Sequence, residues 1–195
     1  MKLPSIRTLR KYHRITDVGE ITRRYFALNA FDGVITILGV LVGSYFGEIR
    51  NSASVVTLGL ATAFAMGISG FYGAFMAERA ERKRALAELE ESTLSSLKGT
   101  EISDAATYAA IAVSTVNCVS PFTAAFLAII PFFFGGMLSI ESAFVISFVI
   151  AFTELFAIGA YLGAVSKTKL VFSGIRMVAV GLLCVAIGYA LGAAA

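Results

Sequence analysis

The chain has 195 residues, 57% of them apolar and only 15% charged, with a mean hydropathy of +0.81 and a formal net charge of +3. A soluble domain carries about a quarter charged residues, and here the charges crowd into residues 1–24 and 78–104. That pattern excludes a soluble globular protein. It also excludes a nucleic-acid binder, whose Lys and Arg would spread over a folded face among exposed aromatics.

The partner this composition asks for is a lipid bilayer. Two cysteines, Cys118 and Cys184, both sit inside apolar runs, and His13 is the single histidine, so neither a disulfide framework nor a His-rich metal cage is expected. The first apolar run begins only after residue 24 and continues for a full span, unlike a cleavable signal peptide.

In chain order, residues 1–24 read as a basic amphipathic segment on the cytoplasmic lipid surface. Crossing the hydrocarbon core takes roughly 20 apolar residues, and Tyr25–Gly47 is the first such run. It contains Asp32, about seven residues or roughly 10 Å from its start. An acid in mid-span costs about 2.5–3.5 kcal/mol on insertion scales, so something must compensate it. At helical spacing Asp32 shares a face with Asn29, Thr36, Gly39, Gly43 and Gly47. The three glycines form overlapping GxxxG patterns, which let two helix backbones approach closely. Asp32 is therefore expected to face another helix, possible partners including the same helix of a second subunit. The plainer alternative is a carboxylate that only hydrogen-bonds between helices or stays protonated.

The second run, Ser54–Ala77, continues into residues 78–98, which favour helix strongly and are expected to extend into the cytoplasm before a turn at Gly99-Thr100. Glu78, Glu81, Glu88 and Glu91 fall at about 0°, 300°, 280° and 220°, one broad face of that helix. Divalent cations want several converging carboxylate oxygens, and Glu101 or Asp104 on the returning segment would complete a set. The alternative is a solvated helix held by pairs such as Glu78–Arg82 at i, i+4. Met66 and Met76 offer soft sulfur to a transition metal, although packing is the plain role of a methionine in an apolar helix.

The third run, Ala105–Met137, is longer than a span needs and holds Pro121 and Pro131, so a kink is expected. Each proline withholds an N–H from the carbonyl four residues earlier, Asn117 and Leu127, and such carbonyls are tolerated at depth where they line a cavity or find another partner. Ser142–Val165 carries a second intramembrane acid, Glu154, read either as a partner of Arg176 or as a proton carrier or second cation ligand. The turn Ser166–Lys169 leads into the last run, Val171–Ala194. With the N-terminus inside, 15 of the 16 Lys and Arg are cytoplasmic and only Arg50 is outside, which sets the orientation by the positive-inside rule.

The expected architecture is an all-α polytopic membrane protein with five transmembrane helices and a short cytoplasmic hairpin. Its parts are a basic segment (1–24), helices one and two (25–77), the acidic hairpin (78–104) and helices three to five (105–195). No nucleophile–base pair, phosphate-cradling loop or metal triad points to an enzyme.

The segment from Asn29 through Asp32-Gly33, Thr36 and Gly39 to Gly43 resembles the first-span signature of the vacuolar iron transporter family. Gly59-Leu60-Ala61 with Ser69 and Gly73, the Glu-rich extension, and Ser173-Gly174-Ile175-Arg176-Met177 with Gly181 and Ile187-Gly188-Tyr189 are similar as well. The resemblance runs from residue 25 onward and implies a homodimer of five-span subunits. It implies export of Fe2+, often Mn2+, from the cytoplasm in exchange for protons, with no permanently bound cofactor. Asp32 would line the path near the dimer interface, with Asn29, Thr36, Met66, Ser69 and Glu154 along it. Glu78, Glu81, Glu88, Glu91 and Glu101 would collect metal, and Gly39, Gly43 and Gly47 would pack the dimer. The chain departs from that family in its second span. There the family has Ser-Met and, four residues after the Met, an acid, whereas this chain has Ser69-Gly70 and Ala74. Met66 or Glu78 is the candidate substitute, and Glu154 the candidate for the missing intramembrane charge. A passive cation channel and a non-transporting lipid- or partner-binding protein are the alternatives. A multi-pass protein of a prokaryotic plasma membrane is the expected setting.

Overall fold

The computed structural model describes residues 11, 12, 16 and 18–192. Five long helices follow one another: α1 (Val18–Phe46), α2 (Ser52–Thr93), α3 (Glu101–Ile129), α4 (Ile140–Val165) and α5 (Leu170–Gly192), with a 3-10 turn at Ile130–Phe134 after α3. All five are long and apolar enough to cross a membrane, and no strand occurs among the described residues. The protein is an all-α, multi-pass membrane protein.

Local chemistry sets the ends of these helices. Past Phe46 the Gly47 N–H still donates to the Gly43 carbonyl at 2.9 Å, and Glu48 then reverses the chain at φ 52°. The Asn51 side chain caps α2 by accepting from the Ala53 N–H at 2.9 Å, and the Ser139 hydroxyl caps α4 by accepting from the Ser142 N–H at 3.2 Å. Such caps satisfy N–H groups that the first helical turn leaves unpaired. Between α4 and α5, Lys167 takes φ 56° while the Thr168 N–H donates to the Gly163 carbonyl at 2.9 Å.

Three boundaries differ from the sequence expectation. Helix α1 begins at Val18, seven residues before the expected first span, so residues 18–24 are its first two turns, with Val18 buried; residues 1–10, 13–15 and 17, the rest of the basic segment, lie outside the described residues. The hairpin turn is longer than Gly99-Thr100. It runs from Leu94 (φ 50°) to Thr100, and the Glu90 carboxylate holds it by accepting the Leu97 N–H at 2.6 Å. Finally, α3 runs through Pro121 without a break in helix, and the change comes at Pro131, which opens the 3-10 turn.

Two compact units divide the chain. One holds the described residues up to Phe26 together with Ile68–Cys118. In it Tyr12 meets Tyr108 at 6.0 Å between ring centroids, Lys11 pairs with Glu101, and α2 lies so close to α3 that a Cβ at Gly70 would collide with the Asn117 carbonyl oxygen. The other holds Ala27–Gly67 and Val119–Ala195, with a core of Val34, Ile37 and Leu38 from α1, Ala125, Ala128 and Ile129 from α3, and Ala151 and Leu155 from α4. Small residues bring its backbones together, as expected where lipid provides no hydrophobic drive between helices. A Cβ at Gly159 would stand 2.5 Å from the Ser173 carbonyl oxygen of α5.

Candidate functional site: two acids within the spans

The rotation of α1 is set by its buried side. Val34, Ile37, Leu38 and Leu41 are fully buried, and a Cβ on Gly33 would lie 2.6 Å from the Pro121 carbonyl oxygen and 2.7 Å from its Cα. With that face turned inward, Asp32 is left exposed, as are Gly39 and Gly43. Asn29 and Thr36 are half-buried at the edge of the same strip. The Asp32 carboxylate has no hydrogen bond or ion pair among the described residues. Nothing lies within 4 Å of a Cβ built on Gly39 or Gly43. Beside them a groove of about 450 Å³ opens between α1 and α5, reaching Cys184 and Gly188. Gly47 follows one residue past the end of α1, exposed like Gly39 and Gly43, with its N–H still bonded to the Gly43 carbonyl.

Glu154 has the opposite environment. Both of its carboxylate oxygens are buried without a hydrogen-bond partner, and so is the Ser147 hydroxyl. The two residues are seven positions apart, two turns along one face of α4, with buried Ala151 between them. The expected pair with Arg176 does not form. Arg176 is exposed and lies over the Phe172 ring, 4.3 Å from its centroid. Depth explains the separation. Glu154 is about 17 Å from the end of α4 at Val165, whereas Arg176 is about 9 Å into α5. The arginine reaches back toward the membrane surface. An unpaired buried carboxylate is costly unless a proton, water or cation meets it.

Because Glu154 gives up no hydrogen bond on mutation, Glu154→Leu is expected to raise the thermal midpoint of the purified protein, by an amount equivalent to about 1–3 kcal/mol. A fall of several degrees in a melting curve would reveal a partner that the buried oxygens rely on.

The other predicted residues separate. Glu78 pairs with Arg82 at 3.1 Å, Glu88 with Arg84 at 2.9 Å, and Glu101 with Lys11. Glu81 and Glu91 are exposed. Among the described residues no three of His, Cys, Asp and Glu gather to hold a metal ion, so the converging carboxylate set is not assembled within one chain. The reason is local: basic residues at i+4 and i−4 reach Glu78 and Glu88 before any glutamate of the returning helix does. Met66 packs against the apolar core, which makes its sulfur part of the packing, while Ser69 is exposed on α2.

Sequence reasoning passed over Ser147, although its spacing from Glu154 was readable. Gly33 and Gly70, noted there as part of a signature and as a departure from it, have packing roles that depend on which backbone lies opposite.

No family model matches the chain. It is 31% identical over 172 residues, 87% of each chain, to the uncharacterized protein MJ0645 of Methanocaldococcus jannaschii. At that identity and coverage, this five-helix membrane protein belongs to the same family as MJ0645.

Proposed function

We propose that the protein is a divalent-cation transporter that exports Fe2+ or Mn2+ from the cytoplasm in exchange for protons, working as a homodimer in a prokaryotic plasma membrane. The observation that carries this reading is the exposure of Asp32 on a strip of α1 that also presents Gly39 and Gly43. A carboxylate facing lipid at that depth costs about 2.5–3.5 kcal/mol. A second copy of α1 across the glycines would set two acids opposite each other, away from lipid, where a dication between them offsets both the burial cost and their mutual repulsion. Glu154, buried and unpartnered, supplies a separate group able to carry a proton. The cytoplasmic placement of the hairpin follows from the bias of Lys and Arg toward that side. In the dimer, Glu81, Glu91 and Asp104, exposed and without an ion pair among the described residues, are the hairpin groups left to collect metal.

The glycine strip makes a clean test of the dimer. Gly39→Leu and Gly43→Leu add side chains where the protomer has open space, so the fold survives while the close helix contact is lost. Light scattering coupled to gel filtration should show the dimer falling to monomer with an unchanged circular dichroism spectrum. Dimers that persist in both variants would place the interface elsewhere.

A second reading is favoured by the pairing of Glu78, Glu88 and Glu101 with basic side chains: a non-transporting protein that binds lipid or a partner. Proteoliposome uptake of Mn2+ with and without a pH gradient separates the readings. The exchanger moves Mn2+ and slows without the gradient, a passive channel ignores it, and a non-transporting protein shows no flux.

A further inference from the structure

Where α2 leaves the membrane and α3 returns, a cavity of about 450 Å³ lies between the two helices within one unit of the chain. Its rim carries Arg79, Arg82 and Lys83, and among the described residues no acid lines it. Arg82 is committed to Glu78 at 3.1 Å, with both side chains less than a fifth exposed. Arg79 leans over the Phe75 ring at 5.9 Å, and among the described residues neither Arg79 nor Lys83 has a carboxylate partner. Among the described residues, two positive charges therefore stand at the rim uncompensated, one turn apart on the same helix face.

The floor is of another kind. Phe75 belongs to the apolar run that ends at Ala77, and Ala106 and Ala110 belong to the run that begins at Ala105. By the limits of these apolar runs the cavity falls where both spans end, with Thr107 among its floor residues and Leu86 and Ser103 on the hairpin side beside the three basic residues. We infer that it seats the phosphate headgroup of an anionic membrane lipid, with Arg79 and Lys83 on the phosphate and the first carbons of the lipid against Phe75, Ala106 and Ala110. Basic pockets between spanning helices are suited to such headgroups. A free phosphate would use the rim and leave the floor empty. The site depends on the membrane spans alone and not on any transport activity.

The test uses the full-length protein in detergent, with phosphatidylglycerol, phosphatidylcholine or inorganic phosphate added, read by native mass spectrometry and by thermal melting. Phosphatidylglycerol should be retained and should stabilise the protein, and phosphatidylcholine and inorganic phosphate should not match it. The double variant Arg79→Gln with Lys83→Gln should weaken phosphatidylglycerol retention roughly tenfold or more, whereas Lys167→Gln with Lys169→Gln should leave it unchanged. Ala106→Leu, which fills the floor with every charge intact, should weaken it too and decides the matter should the double variant not fold. Equal retention of phosphatidylcholine, equal stabilisation by inorganic phosphate, or full retention in Ala106→Leu would overturn the assignment.

Discussion

Replacing Asp32 with alanine is expected to lower Mn2+ and Fe2+ flux through proteoliposomes by about a hundredfold or more while leaving the protein folded. A dication crossing a low-dielectric region is held against its desolvation by nearby negative charge. Asp32 is the only acid exposed within the apolar length of α1. Losing it from both subunits of a dimer removes two charges at once, and a barrier higher by about 2.7 kcal/mol already slows a step a hundredfold. Stability should barely change, because the carboxylate gives up no partner among the described residues. Asp32→Asn, which keeps the shape and removes the charge, should be nearly as inactive. Unimpaired flux in both variants would remove the proposed transport path.

The second large effect is structural and falls on glycines that meet backbone. Gly33→Val is expected to abolish the folded protein, since its first added atom would stand 2.6 Å from the Pro121 carbonyl oxygen and 2.7 Å from its Cα. Side chains can rotate away from such a collision, but two helix backbones must separate along their length. Overpacking costs about 1–3 kcal/mol even where side chains yield, and a total stability of about 5–15 kcal/mol leaves little margin for more. Gly70→Met meets the same obstacle at the Asn117 carbonyl oxygen. That variant restores the sulfur which the iron-transporter resemblance leads one to expect beside Ser69, yet it should lose folded yield and gain no metal affinity. Detergent-solubilised yield and melting temperature would report both effects, with Gly39→Leu as the tolerated control. A monodisperse Gly33→Val protein with a native melting curve would contradict the close contact of α1 with α3.

The five spans were legible because an apolar run of some twenty residues has few other uses, and Lys and Arg punctuate the runs clearly. The ends were less so. Nothing in the composition of residues 18–24 says that Val18 is buried or that they continue the helix of the span. Asp32, Gly39 and Gly43 were readable as one strip because helical periodicity alone places them together. Gly47 fits the same periodicity and is exposed just past the end of α1, its N–H still bonded to the Gly43 carbonyl. Pairings between elements were the hard part. Glu154 and Arg176 enter as a plausible pair by charge, and only their depths separate them. The hairpin glutamates looked convergent on a helical wheel, but a wheel does not weigh the arginines at i+4 and i−4 that claim Glu78 and Glu88 first. Gly70 read as a missing ligand when its neighbours were unknown, and it is the point where α2 rests on α3.

The most direct measurement is anomalous diffraction from crystals of the protein soaked in Mn2+. Density for the metal between the Asp32 carboxylates of two subunits, packed through Gly39 and Gly43, is the predicted result. An Asp32 that faces lipid with no metal beside it, in crystals that do take up Mn2+ elsewhere, would contradict the account.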